Sequence, residues 1–300
     1  MKQYVYLPVA IHPNPRKALL ISYGCGITAK ALTDTKEFTE IDFVDISRDI
    51  VQLNRVVYPD SSDLPVNDPR VTVTIEDGRF FLQTRDQLYD VITSEPPPPT
   101  GAGIVNLYSK EYFQLIHDRL SPGGMTTYWL PHHSVSQDGS RAILQAFCDV
   151  FPDCSMWFGG GQNWLLLGIR DGHVKVTEQQ FRRQWGDSRA VELAESGFEI
   201  PEQMASYFIC DRTGMLEMAS GCDPVVDNFP NRILPSSHAD RESRYAEYID
   251  ADASQKVFSE SEHIKRLWPD SLIDPSLRYF RHRNLVHDIL ATRTGAVSRE

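Results

Sequence analysis

The sequence has few cysteines and none of the spacings that mark a metal site. Its five cysteines are odd in number, and no CxxC pair or regular Cys/His spacing occurs. An unpaired set of this kind argues against a disulfide framework and favours a reducing, cytoplasmic setting. We therefore expect neither disulfide bonds nor a bound metal ion.

Long apolar runs and an excess of positive charge are also missing. No apolar stretch approaches the roughly 18 residues needed to span a bilayer, and residues 1–17 lack the apolar core of a secretory signal. The net charge of −11 argues against a nucleic-acid backbone or an anionic membrane as the main partner. We expect a small-molecule partner, with no nucleic acid and no membrane insertion.

The composition that remains is that of a globular chain with a large core. Of the 300 residues, 41% are hydrophobic and 24% are charged, which suits one large domain or one domain with an appendage. Residues 1–170 show alternating strand and helix patterns and are predicted to form an α/β core. Residues 171–300 are predicted to be a helical extension packed on that core. Its helices are predicted at 177–186, 188–196, 201–219, 240–251, 259–268 and 275–291.

The strand pattern of the core predicts a seven-stranded, mostly parallel, Rossmann-like sheet. Residues 1–17 are predicted to be an extended entry set by the prolines of HPNP. The last two strands are joined by a glycine-rich turn and are predicted to form an antiparallel hairpin at one edge. The predicted strands are 18–21, 41–45, 71–75, 89–93, 125–130, 154–158 and 164–169.

A glycine turn follows the first predicted strand. Tyr23, Gly24, Cys25 and Gly26 lie between an apolar strand and the start of a helix. Glycines at this place let the backbone approach a ligand and adopt dihedral angles closed to other residues. The pattern indicates a nucleotide-binding unit, although an ordinary strand-to-helix turn would look the same.

Acidic residues end the next three predicted strands. Asp45, followed by Ile46, ends the second strand, where this architecture binds the ribose hydroxyls of an adenosine. Asp77 and Gly78 end the third, where the acid could bind an adenine amino group, cap the next helix, or do both. Glu95 ends the fourth and is held at a rigid rim by the four prolines that follow it. We interpret all five as candidate ligand-binding residues.

Two adjacent histidines, His132 and His133, follow the fifth predicted strand on the same side of the sheet. Adjacent side chains point apart, and no further ligands occur at a fixed spacing, so a metal site is disfavoured. A hydrogen-bonding or substrate-lining role for His132 and a plain loop role both stay open.

The nature of the adenosine ligand depends on features beyond the glycine turn, because this turn also fits the dinucleotide pattern GxGxxA of a nicotinamide site. S-adenosylmethionine is favoured instead by three features. They are the acid and glycine after strand three, the LSPGG stop before strand five and the closing hairpin. Its positive sulfonium suits a lining of acidic and aromatic residues, for which the candidates are Tyr23, Asp45, Asp77 and Glu95.

Five segments of the chain resemble the core of the spermidine synthase family, in the same order and over roughly residues 5–131. They are HPNPRKALLISYGCG, FVDIS, EDGRFFL, YDVITSE and NLYSKEYFQLIHDRLSPGG. The resemblance implies the class I methyltransferase fold and S-adenosylmethionine or decarboxylated S-adenosylmethionine as co-substrate. By position, Asp45 matches the family's ribose-binding acid and Asp77 its adenine-binding acid. Glu95 matches the aspartate proposed as the base toward the amine.

The sequence departs from the family at three places. The family's GGGDG loop reads SYGCG here, so Cys25 replaces the acid that binds the aminopropyl end. The family's DSSDP or DSTDP reads EPPPP, so Pro98 replaces the second acid. The family's amino-terminal β-domain is not recognisable. The pattern is more similar to spermidine-synthase-like domains that bacteria carry alone or fused behind membrane-spanning segments.

Three functions stay open at this point. The first is aminopropyl transfer to an amine, with Glu95 as the proton acceptor and Tyr108 and His132 as secondary candidates. The second is methyl transfer to a small acceptor. The third is a non-catalytic domain that binds the nucleoside and reports to a membrane partner. The sequence is compatible with a homodimer.

Overall fold

The protein was examined as a computed structural model, which describes residues 1–60, 64–101, 103–160, 163–228, 233–235 and 250–282. Its strands are β1 (Lys17–Ile21), β2 (Glu40–Asp45), β3 (Val71–Ile75), β4 (Tyr89–Ser94), β5 (Leu120–Leu130), β6 (Asp153–Phe158), β7 (Trp164–Ile169) and β8 (Phe208–Asp211). The helices of the first half are α1 (Gln3–Ile11), α2 (Ile27–Asp34), α3 (Arg48–Val57), α4 (Gly78–Thr84), α5 (Lys110–Arg119) and α6 (Gln137–Val150). Those of the second half are α7 (Glu178–Arg182), α8 (Arg189–Glu195), α9 (Arg212–Ala219), α10 (Ala251–Glu260), α11 (Glu262–Leu267) and α12 (Asp270–Leu277).

The strands form one sheet in the order β3-β2-β1-β4-β5-β7-β6-β8. Strands β1 to β5 are parallel, while β7 is antiparallel to both β5 and β6. The predicted hairpin is therefore confirmed, but it does not lie at the edge. Chain order reverses between β1 and β4, and in open sheets of this kind ligands bind beyond the carboxyl ends of the strands at such a point.

The eighth strand corrects the predicted strand count of seven. β8 pairs with β6, and its three apolar residues are buried. The sequence predicted one helix over 201–219, whereas the structure has a 3₁₀ segment at Pro201–Tyr207, then β8, then α9. A run of three apolar residues is too short for periodicity to separate a buried strand from a helix.

Helix α1 corrects the predicted extended entry. All nine of its residues are buried, including Pro8. The helix contacts α2, β4, β5 and α7, so it is enclosed by other elements and has no polar face. The extended conformation predicted from HPNP begins only at His12, which is the C-cap of the helix.

Two apolar clusters cover the two faces of the sheet. The first contains α1 and α2 together with α7, α8 and α10 to α12, and the second contains α4, α5, α6 and α9. The helices after residue 170 therefore pack on the sheet, on both of its faces. α10 lies where a loop between two helices was predicted. Residues 240–249 and 283–291, which were predicted to be helical, lie outside the described residues. No helix in the described part of the chain is long and apolar enough to cross a membrane.

Candidate functional site

The glycine turn has the left-handed backbone that its sequence predicts. Gly24 has φ +56° and Gly26 has φ +80°, and Ser22 is held at φ +71° beside them. A Cβ on Gly24 would meet nothing within 4 Å, so this turn borders open space. A Cβ on Gly26 would lie 2.3 Å from Asn54 Nδ2, so only glycine fits there.

Tyr23 does not line the crevice, contrary to the prediction of an aromatic lining. Its ring is buried against Phe43, with the two centroids 5.4 Å apart. Its hydroxyl donates to Asn54 Oδ1 at 2.8 Å, and Asn54 Nδ2 donates to the Cys25 carbonyl at 2.7 Å. Tyr23 and Asn54 therefore hold the turn from below, while the Cys25 side chain is exposed at the crevice.

Asp45 is held in place by backbone donors. Its Oδ2 accepts the Tyr23 N–H and its Oδ1 accepts the Ser47 N–H, both at 2.8 Å. The carboxylate thereby joins the glycine turn to the end of β2, and each oxygen keeps a lone pair for a further donor. Ile46, at the same strand end, is 71% exposed and can offer an apolar surface to a ligand.

Asp77 caps α4, which was one of the two roles predicted for it. Its Oδ1 accepts the Phe80 N–H at 2.9 Å, and the side chain remains exposed beyond β3. Gly78 lies so close to β1 that a Cβ would be 2.4 Å from Ile21 Cγ2. Phe80, in the first turn of α4, is 52% exposed, whereas Phe81 is buried.

Glu95 lies one residue beyond β4, where its N–H donates to the Ile21 carbonyl at 3.2 Å. The side chain is partly buried, and its Oε1 accepts the hydroxyl hydrogen of Thr28 from α2. Desolvation raises the pKa of Glu95 to about 7, although the bond from Thr28 acts in the opposite direction. A carboxylate with this pKa is half ionised near neutrality and can accept a proton.

Tyr108 does not suit the predicted role of a proton acceptor. The side chain is fully buried, and its hydroxyl lies 3.2 Å from the Pro96 carbonyl and 3.1 Å from that of Pro97. Burial raises the pKa of Tyr108 well above its usual value. Its hydroxyl holds the proline rim that follows Glu95, so Tyr108 supports the rim instead of facing the crevice.

His132 lies two residues beyond β5, at the same edge of the sheet as Glu95. Its ring stacks on Trp164, with centroids 4.3 Å apart and an angle of 17° between the planes. The side chain is buried, so stacking fixes the orientation of the ring. A role in binding the acceptor stays a prediction. Among the described residues, no group of three or more histidine, cysteine or acidic side chains could hold a metal ion.

The sequence analysis missed Thr28 and Asn54. Thr28 is buried in the first turn of α2 and contacts a residue 67 positions away. Asn54 is the one residue of α3 that is buried, on a helix whose apolar residues are partly or fully exposed. The polar residue in an apolar helix pattern was the available signal for Asn54, and nothing local marked Thr28.

The strand ends thus bring together most of the predicted residues. The glycine turn, Asp45, Asp77 and Glu95 follow β1, β2, β3 and β4, which are neighbours at one sheet edge. The open space at Gly24, the fixed carboxylate of Asp45 and the exposed Ile46 leave room beyond the strand ends for a ligand, with an acid and an apolar surface side by side. Glu95 lies across β1 from Asp45, so it could face the reacting end of such a ligand.

Comparison with known proteins identifies a family for this chain. The sequence model of the spermine/spermidine synthase domain matches residues 3–158. The polyamine aminopropyltransferase of Streptococcus pneumoniae serotype 4 is 34% identical over 150 residues, which cover 49% of this chain and 52% of that protein. Putrescine N-methyltransferase 2 of Nicotiana attenuata is 28% identical over 171 residues, covering 55% and 42%. The chain spans about half the length of the curated relatives it matches.

Solved structures support the fold. Human methyltransferase-like protein 13, in complex with SAH, aligns with a TM-score of 0.51 at 18% sequence identity, covering 63% of this chain and 92% of that chain. The likeness concerns the fold alone, and it confirms the methyltransferase-type α/β fold predicted from the sequence.

Proposed function

The chain belongs to the spermine/spermidine synthase family, and we propose that it transfers a carbon group from a sulfonium nucleoside to an amine. The donor would be S-adenosylmethionine or its decarboxylated form. The observation that carries the proposal is the pair of carboxylates on either side of β1, with Asp45 held by two backbone amides and Glu95 beside the proline rim.

The donor would bind with its sugar at Asp45. Both oxygens of this carboxylate are already oriented by N–H donors, so binding a ribose hydroxyl requires little reorganisation. Asp77, at the end of the next strand, would face the adenine. Gly24 and Cys25 would then lie along the chain that leads to the sulfonium, where Gly24 leaves open space.

The chemistry needs a proton acceptor and alignment. An amine with a pKa near ~10.4 arrives as R–NH₃⁺ and must first lose a proton, which Glu95 would take to become a carboxylic acid. The nitrogen lone pair then forms the C–N bond while the C–S bond breaks, and its electron pair stays on sulfur. The products are a substituted ammonium and a neutral thioether. No oxidant or metal ion enters the balance.

Aminopropyl transfer is the leading version of this reaction. The aminopropyltransferase from S. pneumoniae is similar to about half of this chain, and the matched spermine/spermidine synthase domain spans residues 3–158, which include Asp45, Asp77 and Glu95. Methyl transfer is the second version, and a specific observation favours it. Cys25 stands exposed where the family places the acid that binds the aminopropyl end, so this site would not select against a donor carboxylate.

Turnover assays test the proposal. The wild-type protein would be incubated with each sulfonium donor and a panel of monoamines and diamines, and the thioether product would be measured. The version of the reaction follows from which donor is consumed. Glu95→Gln should depress turnover at least tenfold while donor affinity changes little. An unchanged rate in that variant would remove Glu95 from the mechanism, and no product with any combination would favour a domain that only binds the nucleoside.

A further inference from the structure

Thr28 connects the donor side of the crevice to the proton acceptor. It is 4% exposed in the first turn of α2, directly after the glycine turn, and its Oγ1 donates to Glu95 Oε1. A threonine hydroxyl on a helix commonly bonds a carbonyl of the preceding turn. Thr33, on the same helix, does so with the Lys30 carbonyl at 3.0 Å. The Thr28 hydroxyl bonds a carboxylate on a neighbouring strand end instead.

We propose that Thr28 is a positioning residue that orients Glu95 for proton transfer, an inference that rests on the proposed function. Because Oε1 accepts the hydroxyl hydrogen of Thr28, Oε2 is the oxygen left to face an acceptor amine. The same bond restricts rotation of the Glu95 carboxylate, which the extended proline rim alone does not do. Thr28 therefore selects both the oxygen that receives the proton and its direction.

The electrostatic setting of Glu95 indicates what loss of this bond would do. Desolvation raises the pKa of Glu95, and the Thr28 bond and the positive amino group of Met1 lower it. Tyr4 of α1 also interacts electrostatically with Glu95, although its hydroxyl donates to the Trp164 carbonyl at 3.2 Å, and Cys25 interacts electrostatically with the Met1 amino group. Within the described part of the chain, Thr28 is the neutral side chain that donates a hydrogen bond to Glu95, so loss of its hydroxyl would shift the equilibrium toward the protonated acid without changing the charge of the site.

Three variants isolate this contact. Thr28→Val keeps the shape of the side chain and removes the hydroxyl, while Thr28→Ser retains a donor. Thr33→Val is the matched control, because it makes the same change on the same helix at a hydroxyl that bonds only backbone. All variants would keep the same first residue, so the contribution of the Met1 amino group is constant. Thermal unfolding of each variant would check that it folds.

Two readouts are needed. The first is the dependence of kcat/KM on pH with the donor and amine that give turnover. The second is a ¹³C NMR titration of protein labelled at the glutamate carboxyl carbon, in which the Glu95 resonance is the one missing from Glu95→Gln. The second readout does not depend on catalysis.

Thr28→Val should move the Glu95 titration and the acidic limb of the rate profile upward by about one pH unit. At pH 7 the ionised fraction would fall from about one half to about one tenth, a roughly fivefold loss of rate, and the lost orientation of the carboxylate would leave a further loss of kcat/KM that persists above pH 9. Thr28→Ser and Thr33→Val should keep the wild-type midpoint. A Thr28→Val variant with an unmoved midpoint, or with a rate that recovers fully above pH 9, would overturn the proposal. Wild-type protein without turnover, whose Glu95 titration still moves in Thr28→Val, would support the contact and count against the proposed function.

Discussion

Replacement of Asp45 by asparagine is the change that most directly separates folding from donor binding. The carboxylate accepts one backbone N–H on each oxygen, from Tyr23 and from Ser47. Asparagine offers a single acceptor oxygen, so its amino group must face one of these two N–H donors. The variant loses one backbone contact and also the negative charge that would bind a ribose hydroxyl.

The two losses act on different equilibria. An unsatisfied backbone N–H costs about 1–3 kcal/mol, and since the donor-free and donor-bound proteins share this cost, it lowers the free energy of unfolding. The lost charge-assisted bond to the ribose acts on binding alone and is worth about 1.5–3 kcal/mol. Because about 1.4 kcal/mol corresponds to a tenfold change in affinity, donor binding should weaken roughly 10-fold to 100-fold.

Calorimetric titration with S-adenosylmethionine measures this effect. Asp42→Asn is the matched control, since Asp42 lies on the same strand but away from its carboxyl end, where its Oδ2 accepts the Tyr89 hydroxyl at 2.6 Å. That variant should keep wild-type affinity, because the asparagine oxygen can still accept the Tyr89 hydroxyl hydrogen and the site lies away from the strand end. If Asp45→Asn bound the donor within threefold of the wild type, Asp45 would not hold the sugar and the reasoning would fail.

Three other changes have definite expected outcomes. Gly26→Ala should lower the free energy of unfolding in urea by at least ~1–2 kcal/mol, because φ is +80° and the new Cβ meets Asn54. Gly186→Ala is the control and should not lower the free energy of unfolding, because open space surrounds this position. Cys25→Asp should increase the affinity ratio of decarboxylated to intact donor at least tenfold in competition binding; an unchanged ratio would refute the role given to this position. Glu95→Gln should raise the Tm at pH 8 and have no effect at pH 4, because a pKa of about 7 in the folded state means that ionisation of Glu95 costs stability above that pH. Equal Tm differences at both pH values would contradict this sign.

The sequence predicted the parallel part of the sheet well because each strand there is a short apolar run closed by an acid or a turn. β3 has the predicted bounds, and β1, β2 and β4 differ by one residue at one end. β5 begins five residues earlier than predicted, at Leu120, so the LSPGG segment predicted as a stop is part of the strand. These runs depend on local chemistry, and the positions of Asp45 and Glu95 followed from them. Two of the mispredicted elements, α1 and β8, are apolar on all sides, so neither has the periodicity from which a helix or strand is predicted.

The side-chain directions were harder to predict than the positions. Tyr23 stands at a place where a glycine-rich loop was expected, and its aromatic ring suggested a cationic ligand. Burial against Phe43 and a bond to Asn54 stabilise the inward orientation, and both partners are distant in sequence. The orientation of the Tyr108 side chain was hard to predict for the same reason, because its hydroxyl bonds carbonyls of the proline rim. Contacts of this kind arise only once the strands are assembled.

The most direct test of the account is a calorimetric titration of the wild-type protein with S-adenosylmethionine, its decarboxylated form, methylthioadenosine and NAD⁺. The account predicts measurable binding of the two sulfonium nucleosides, weaker binding of the neutral thioether because it lacks the positive charge, and no binding of the dinucleotide. Binding of NAD⁺ in preference to both sulfonium nucleosides, or no binding of any adenosine compound, would contradict the assignment of this crevice.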